Sequence, residues 1–383
     1  DMRILVTSTP GAGHLHPLVP LAHELEAVGH EVVWATSPSA CEMVGRFGFR
    51  SVPCGLDGAN RRSKVMERVP GLFELPPRER RAVMLSTTFG DVAAPPMRDD
   101  LVGVFDEFQP DVVVHDYAEL AAAPMSSARS IGCVSVGFSG AVSDAVQRAV
   151  EVSAAPVWER EGVEITTATF NGDLLLYPFP EWLDTPRADV PSAPMRPVAF
   201  DRSTASDAPE WVESFGADRP GVYATYGTEL GPRAPWSAIF DGLAALDADV
   251  IATVGGQLDP ASLGPVPANI RVEQYVPQGF VLERAAVAVS HGGAGTLIGA
   301  ATTATPQLCL PIAADQWDNA DRLAASGAGL LLEENERDPD SIYRAVERLL
   351  HDDSIQTHAN LLRDHFAAMP HPAELVATIE SLT

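Results

Sequence analysis

Three glycines stand between a strand-like segment and a helix-like segment in the second half of the chain. The run Ser290-His291-Gly292-Gly293-Ala294-Gly295-Thr296 follows the apolar stretch Ala286–Ser290. Glycines at such a turn let backbone N–H groups approach an anion, and the helix dipole adds to the attraction. His291 and Thr296 would add side-chain donors. The pattern predicts a diphosphate site, with a glycine-rich packing turn as the alternative.

Two polar residues, Asp315 and Gln316, follow the next apolar strand, Leu308–Pro311. Their side chains can bind the hydroxyls of whatever is attached to the phosphates. Simple N-capping of the next helix by Asp315 is the alternative.

A similar loop lies near the N-terminus, where Gly11-Ala12-Gly13-His14-Leu15-His16-Pro17 follows the strand-like run Arg3–Ser8. It is similar to a dinucleotide fingerprint, but His16 replaces the third glycine and there is no Gly-Lys-Ser/Thr of a Walker loop. His14 stands where a strand ends and a helix begins, so its side chain can face a ligand. A histidine that merely caps the loop is the alternative.

Asp116 closes another apolar strand, Val112–Val114 followed by His115. If this strand runs parallel to Arg3–Ser8 in one sheet, its carboxylate points to the same edge as His14. A buried Asp beside a His can orient the imidazole and stabilise its protonated form. A helix or loop cap is the alternative for Asp116.

The elements that must position these residues form a repeated pattern. Short apolar strands alternate with helical segments, which is typical of parallel sheets covered by helices. A helix with both stop signals runs between Pro17 and Gly29, and a second strand–helix series begins near Gly221. We predict an α/β fold of two Rossmann-like parallel-sheet domains, with ligands beyond the carboxyl ends of the strands and a cleft between the domains.

The domain boundary is predicted in Pro178–Pro209, which carries seven prolines in irregular, mostly polar sequence. Residues 1–200 form the predicted N-terminal domain, including this linker from about residue 178, and residues 210–363 form the C-terminal domain. Residues 364–383 are predicted to be helical, interrupted at Pro370 and Pro372, and to pack back on the first domain.

Composition limits the partners. The chain has 383 residues, 46% of them hydrophobic, which fits two domains of ordinary size. Its 52 acidic residues against 26 Lys plus Arg give a net charge of −26, which disfavours nucleic acid and anionic membranes. The four cysteines form no CxxC pair, and no carboxylate cluster suggests a metal site.

The longest uncharged stretch, residues 285–314, contains two prolines and many polar residues, so it would make a poor membrane helix. The N-terminus shows no signal-peptide pattern. We expect a cytoplasmic protein without nucleic-acid or membrane partners and without a bound metal, and a homodimer is left open.

Four motifs together resemble family 1 glycosyltransferases, above all the actinobacterial enzymes that decorate macrolides, enediynes and aromatic polyketides. The motifs are Gly13-His14 with Pro17, Val276-Pro277-Gln278, His291–Thr296, and Asp315-Gln316 with Asn319-Ala320-Asp321. The resemblance covers nearly the whole chain in the right order. It implies the GT-B fold, two Rossmann-like domains with the active site between them, and a nucleotide-diphosphate sugar as co-substrate with no further cofactor.

The resemblance also implies roles for individual residues. His14 would be the general base and Asp116 its partner. The donor-binding residues would be Gly13, Thr228, Tyr275, Val276, His291, Gly293, Ala294, Gly295, Thr296, Asp315 and Gln316. Tyr275 stands where many relatives stack a tryptophan on the nucleobase. Gly299 replaces the glutamate that binds the ribose hydroxyls in UDP-glucose-using relatives, which suits a dTDP donor.

We therefore expect an inverting O-glycosyltransferase that moves a deoxysugar from dTDP to a hydroxyl of a large, mostly apolar natural product in antibiotic biosynthesis. The alternatives are a sugar-nucleotide 2-epimerase of the same fold and a nicotinamide-dependent oxidoreductase. C-glycosylation is a variant of the main prediction. The acceptor pocket is expected in Leu56–Pro96 and Ser139–Phe170. Its apolar candidates are Phe73, Met84, Phe89 and Phe138, a pattern that would equally suit packing.

Overall fold

The computed structural model describes residues 1–184, 191–198, 209–228 and 230–383. These residues divide into two compact units. The first contains Asp1–Glu181, the described part of 185–198, and Met369–Thr383, and the second contains Trp182–Asp184 and the described part of 199–368. Residues 185–190 and 199–208 of the predicted proline-rich linker lie outside the described residues.

The first unit is built on a seven-stranded sheet in which all pairs are parallel. Its strands, β1 to β7 in chain order, are Arg3–Thr7, Glu31–Thr36, Arg50–Pro53, Val112–Asp116, Gly132–Val136, Leu174–Tyr177 and Ser192–Pro194. They lie side by side in the order β3-β2-β1-β4-β5-β6-β7.

The second unit repeats this plan with a six-stranded parallel sheet. Its strands, β8 to β13, are Gly221–Thr225, Asp249–Thr253, Ile270–Glu273, Ala285–Ser290, Gln307–Cys309 and Gly329–Leu331. Their order is β10-β9-β8-β11-β12-β13. The predicted α/β fold of two Rossmann-like parallel sheets is confirmed.

Helices connect the strands. In the first unit, α1 to α9 are Ala12–Leu15, Val19–Ala27, Pro38–Arg46, Gly58–Arg68, Pro77–Leu85, Ala94–Phe108, Ala122–Ala128, Asp144–Glu161 and Thr167–Asn171. A π-helical segment, Ser86–Ala93, joins α5 to α6. In the second unit, α10 to α15 are Trp236–Ala244, Gln278–Leu282, Ala294–Thr302, Gln316–Ser326, Pro339–His351 and Asp353–Ala367. The last helix, α16, is Pro372–Glu380.

Each sheet has one topological switch point, where the chain turns from building one side of the sheet to building the other. It lies between β1 and β4 in the first sheet and between β8 and β11 in the second. Ligands of open parallel sheets bind beyond the carboxyl ends of the strands at such points. The predicted residues His14, Asp116, Thr228 and His291 lie at the carboxyl ends of these four strands, whereas Tyr275 and Val276 follow β10, and Asp315 and Gln316 follow β12.

Apolar faces of the helices cover each sheet. In the first unit Val33, Val113, Leu101 and Trp158 belong to one buried cluster, and in the second Ile251, Val281 and Ala288 belong to another. The central strands are buried along almost their whole length, as expected for sheets covered on both faces. Among the residues that the structure describes, none of the helices combines the length and the apolar character that a bilayer crossing requires.

The predicted linker and C-terminal segment need correction. The described part of the linker contains a short edge strand, β7, which ends at Pro194, a position where a missing N–H can be tolerated. The returning C-terminal segment starts at Met369 instead of residue 364, because α15 continues to Ala367 within the second unit. From there α16 packs against α2, where Glu380 Oε1 lies 3.0 Å from His30 Nε2.

Candidate active site

His14 lies in α1, the short helix that follows β1. The turn into this helix needs Gly11, whose φ of 122° is a conformation that L side chains rarely adopt. The imidazole is largely shielded, with 17% of the side chain exposed. Gly13, predicted to contact the donor, has open space where a Cβ would stand, which leaves the backbone beside His14 uncrowded.

Asp116 ends β4 and is buried, with 1% of the side chain exposed. Its Oδ2 accepts hydrogen bonds from the Thr9 hydroxyl at 2.8 Å and the Thr9 N–H at 3.2 Å, and Oδ1 accepts one from the Ala118 N–H at 3.0 Å. Burial opposes ionisation, but the His14 charge and these donors outweigh it and hold the pKa of Asp116 below its ordinary value. The carboxylate therefore both caps its own turn and faces His14.

The two side chains meet, as the sequence predicts for parallel neighbours. Nδ1 of His14 lies 3.0 Å from Oδ2 of Asp116. Because Nδ1 faces the carboxylate, Nε2 is on the opposite side of the ring. An imidazole in this arrangement can accept a proton at Nε2, and the ionised carboxylate stabilises the resulting cation.

Two of the four predicted acceptor-pocket residues lie against His14. The Phe138 ring centroid is 4.5 Å from that of His14 and the Phe89 centroid is 5.5 Å away, both in edge-on geometry. Phe89 belongs to the π-helical segment, a rare conformation that is often found at functional sites. The next residue must be glycine, because a Cβ on Gly90 would overlap Ser153 of α8.

The other two candidates, Phe73 and Met84, pack elsewhere. Both lie against a separate apolar cluster of Val65, Leu72 and Val92. Phe73 also lies under the guanidinium of Arg80, 5.4 Å from its ring centroid. These contacts fit the packing alternative, and a place in the acceptor pocket stays a prediction for both residues.

Three residues near His14 were not singled out from the sequence. Thr9 holds Asp116, as described above. The Arg61 guanidinium lies 5.5 Å from the Phe89 ring centroid, and its Nη2 is 3.5 Å from the Pro10 carbonyl oxygen. Glu119 is buried three residues after Asp116. Arg61 could have been noticed as part of a basic stretch in an acidic chain, whereas Thr9 and Glu119 carry no comparable signal.

In the second unit, the glycine-rich loop has the predicted strand-to-helix geometry. β11 ends at Ser290, whose hydroxyl accepts a hydrogen bond from the Gly292 N–H at 3.1 Å. Gly293 is the N-cap of α12, and no side chain caps this helix. The first N–H groups of α12, at Ala294, Gly295 and Thr296, are thus available to an anion.

His291 is half-buried beneath this loop and shapes it. Its ring stacks on Tyr226 with centroids 5.7 Å apart, and a Cβ on Gly293 would overlap the imidazole. A Cβ on Gly227 would lie 3.2 Å from the ring. Burial lowers the pKa of His291 to about 4, although the Asp315 charge and the Thr225 backbone oppose this shift. His291 is therefore neutral at pH 7, so one ring nitrogen can donate a hydrogen bond and the other can accept one.

Asp315 and Gln316 begin α13 beside the glycine-rich loop. Asp315 is in the N-cap position but makes no side-chain cap bond, and its Oδ2 accepts a hydrogen bond from Asn319 Nδ2 at 2.7 Å. The same amide donates to the Gly292 carbonyl at 3.2 Å, which links the two loops. Gln316 is buried, and its Oε1 accepts bonds from the N–H groups of Ile312 and Ala313. Only its amide NH₂ is left for a sugar hydroxyl.

The remaining predicted donor residues differ in accessibility. Tyr275 is 62% exposed and Thr228 is exposed, so both can meet a ligand. Val276 is buried in the core, so a nucleotide could reach only its backbone. Gln278, at the start of α11, accepts a bond from the Thr296 hydroxyl at 3.4 Å and donates to the Gly295 carbonyl at 3.3 Å. It ties the predicted base-binding segment to the phosphate loop.

Across the described ranges, no three or more His, Cys, Asp or Glu side chains come together as a metal site would require. The electrostatic features of the two loops are instead helix N-termini, a neutral imidazole and the His14–Asp116 ion pair.

Comparisons with known proteins agree with this geometry. Residues 237–382 match the C-terminal domain family described as erythromycin biosynthesis protein CIII-like. The chain is 31% identical to the L-demethylnoviosyl transferase of Streptomyces niveus over 378 residues, which covers 97% of this chain and 96% of that protein.

Solved structures show the same architecture over the whole length. The spinosyn forosaminyltransferase SpnP is 28% identical with a TM-score of 0.79, and the match covers 100% of this chain and 99% of that one. The glycosyltransferase VinC, solved in complex with dTDP, is 26% identical with the same TM-score and the same coverage.

These likenesses, together with two parallel-sheet units that carry a glycine-rich loop and a His–Asp pair, define a sugar-transferring enzyme of the GT-B fold. The chain belongs to the family of natural-product glycosyltransferases that serve antibiotic biosynthesis. The resemblance seen in its sequence motifs is thereby confirmed.

Proposed function

We propose that this glycosyltransferase is an inverting O-glycosyltransferase that moves a deoxysugar from dTDP to a hydroxyl of a large, mostly apolar natural product of polyketide, macrolide or enediyne type. The observation that carries the proposal is the His14–Asp116 pair at the switch point of the first sheet. A base held by a buried carboxylate is what the activation of a weakly acidic hydroxyl requires.

In the proposed reaction, Nε2 of His14 takes the acceptor proton while the hydroxyl oxygen attacks the anomeric carbon. The bond from that carbon to the diphosphate oxygen breaks on the opposite face, so the anomeric configuration inverts. The proton stays on the imidazole, where Asp116 stabilises the cation. The departing dTDP carries the electron pair and the negative charge.

The second unit supplies the stabilisation of that leaving group. The N–H groups at the start of α12 and the neutral His291 are fixed donors that need no reorganisation during the reaction. Asp315 and the amide of Gln316 would bind sugar hydroxyls, and Tyr275 would stack on the base. All of these roles are carried by protein groups.

The proposed donor is a dTDP-sugar. Gly299 cannot contact a ribose 2′-hydroxyl, and a Cβ there would already lie 3.0 Å from Leu282 and 3.3 Å from Gln278. VinC, at 26% identity, was solved with dTDP. Calorimetric titration should therefore give tighter binding of dTDP than of UDP, whereas a preference for UDP would remove the donor assignment.

The proposed acceptor is apolar near its reacting hydroxyl, because Phe89 and Phe138 border the His14 imidazole. A mass-spectrometric screen of dTDP- and UDP-sugars against a panel of aglycones tests the proposal, and NMR of each product reports linkage and anomeric configuration. An O-linked product of inverted configuration supports it. A C-linked or retained product, or an epimerised donor without acceptor, would contradict it.

A further inference from the structure

Glu119 is a second buried carboxylate, three residues after Asp116, and the mechanism above does not use it. It is 2% exposed and lies just before α7. Its carboxylate accepts three hydrogen bonds: 2.6 Å from the Thr7 hydroxyl, 2.7 Å from the Ala121 N–H and 3.2 Å from the Ala122 N–H. Burial of a carboxylate costs free energy, so we expect a buried glutamate at this point to have a role.

Further hydrogen bonds connect Glu119 to the turn that carries Asp116. The Glu119 N–H donates to the Asp116 carbonyl at 2.8 Å, and Nδ1 of His115 lies within 3.1 Å of the carbonyl oxygens of both residues. The turn is therefore closed on itself. Glu119 then fixes this closed turn to β1 through Thr7.

β1 and the loop that follows it thus hold both carboxylates. Thr7 donates to Glu119, and Thr9, two residues on, donates to Asp116. The same stretch of chain leads directly into α1 and His14. A displacement of the Glu119 turn relative to Thr7 would move Asp116 relative to the imidazole.

We propose that Glu119 is a positioning residue for glycosyl transfer, which acts by fixing the Asp116 turn to β1 so that His14 keeps the orientation needed to take the acceptor proton. This inference rests on the proposed role of His14 as the base. Capping of α7 alone does not account for the arrangement, because one of the three bonds goes to a different strand.

The charge of Glu119 supports the same assignment. Burial raises its pKa to about 7, although Thr7, Ala121 and Ala122 donate to the ionised form, and the neighbouring Asp116 charge adds to the increase. The thiols of Cys54 and Cys133, which interact electrostatically with Glu119, have pKa values raised to about 12 by burial, and burial lowers the pKa of His115. Near neutral pH these three groups are uncharged. An ionised Glu119 then adds a negative charge beside the His14–Asp116 pair.

Two variants separate the positional effect from the charge. Thr7→Val keeps the shape of the side chain and removes the bond to Glu119, and Glu119→Gln removes the charge at constant size. With a donor and acceptor found in the screen, both should lower kcat on the order of 10-fold, because small displacements of a base are costly. The Kd for dTDP and the KM for the acceptor should stay within about twofold, since neither residue is among the predicted donor-binding or acceptor-pocket residues.

The pH response distinguishes positioning from mere stability. The acid limb of kcat and the NMR titration of the His14 ring should both move to lower pH in Glu119→Gln, because the partial negative charge that Glu119 carries near its pKa of about 7 favours the imidazolium and is lost. Thr305→Val is the matched control. Thr305 is a buried threonine at the amino end of β12 that also donates to backbone carbonyls, and its loss should leave kcat and the titration unchanged.

The NMR titration needs neither donor nor acceptor, so it tests Glu119 even if no sugar is transferred. A wild-type protein without transferase activity would defeat the proposed function. Wild-type kcat in Thr7→Val together with an unmoved His14 titration in Glu119→Gln would overturn the inference. If Glu119→Gln lowered kcat no more than Thr305→Val does for the same loss in Tm, Glu119 would likewise be only a structural residue.

Discussion

The Nδ1 atom of His14 lies 3.0 Å from Oδ2 of Asp116, although the two residues are far apart in the chain. The parallel register that pairs Thr7 with His115 brings their strands together. The carboxyl ends of β1 and β4 therefore open at the same edge, and the residues that follow them meet there. This relationship underlies the first prediction.

His14→Ala should lower the rate of sugar transfer by roughly 10²–10⁴-fold, the usual loss when a positioned general base is removed. The affinity for dTDP, measured by calorimetry, should be nearly unchanged, because all the predicted donor contacts except Gly13 lie in the second unit, and the substitution leaves the Gly13 backbone in place. His351→Ala, an exposed histidine on α14, serves as the control and should keep full activity. Wild-type rates in a folded His14→Ala protein would remove His14 from the mechanism.

Asp116→Asn should do less damage than His14→Ala, because the base remains and only the charge that stabilises its protonated form is lost. Activity of the wild type should fall on the acid side as the imidazole becomes protonated. In Asp116→Asn this acid limb should move to lower pH, since the imidazolium is no longer favoured by a buried anion. A pH–rate profile identical to that of the wild type would contradict the pairing.

Phe138→Leu should raise the acceptor KM about fivefold, on the order of 1 kcal/mol for the loss of an aromatic contact. The Kd for dTDP should not change. Phe73→Leu is the matched control, because Phe73 packs against Val65, Leu72 and Val92 and should leave the acceptor KM as it is. Equal effects of the two substitutions on KM would show that neither aromatic ring selects the acceptor.

His291→Ala should weaken dTDP binding by about 10-fold and lower turnover as well, because a neutral donor to the diphosphate is lost from both the bound and the transition state. Calorimetry and steady-state rates report the two effects. Unchanged affinity together with an unchanged rate would show that the imidazole only fills the space between Gly227 and Gly293.

His291 should also make stability depend on pH. Its pKa in the folded protein is about 4, below the ordinary value of 6.5, so the unfolded chain binds more protons between these limits. The free energy of unfolding should fall as pH decreases from about 6.5 to 4, by up to about 3 kcal/mol from this residue.

Urea unfolding at several pH values measures this dependence, and the difference between wild type and His291→Ala isolates the contribution of His291. Glu119 acts with the opposite sign between about pH 4.5 and 7, because its pKa is raised in the folded state. If the difference in the free energy of unfolding between wild type and His291→Ala did not change with pH, the pKa of His291 would not be lowered in the folded protein.

Much of the fold and of the candidate site could be predicted from local sequence. Gly11, Gly292 and Gly293 mark strand-to-helix turns by themselves, because the backbone conformation or the close approach at each one disfavours a Cβ. The alternation of buried strands with amphipathic helices determines the parallel sheets. Since parallel strands align their carboxyl ends, the pairing of His14 with Asp116 followed as well.

Which of the predicted acceptor-pocket residues lie against His14 depended on long-range packing. Phe73, Met84, Phe89 and Phe138 are equivalent as apolar residues in a sequence. Only the π-helical segment, held against α8 where Gly90 meets Ser153, turns Phe89 toward His14. No local pattern predicts a π-helix whose cause is the contact with another helix.

Glu119 shows that the burial of a charged residue also cannot be predicted from local sequence. In sequence it is a single acid in a short loop, which is typical of a solvated surface position. Its burial depends on the Thr7 hydroxyl from a strand more than a hundred residues earlier and on the free N–H groups of α7. The sequence by itself therefore determined the fold, the family and the two glycine-containing loops that carry His14 and His291, whose geometry is local. Tertiary structure decided which side chains surround the base, because those contacts join segments that are distant in the chain.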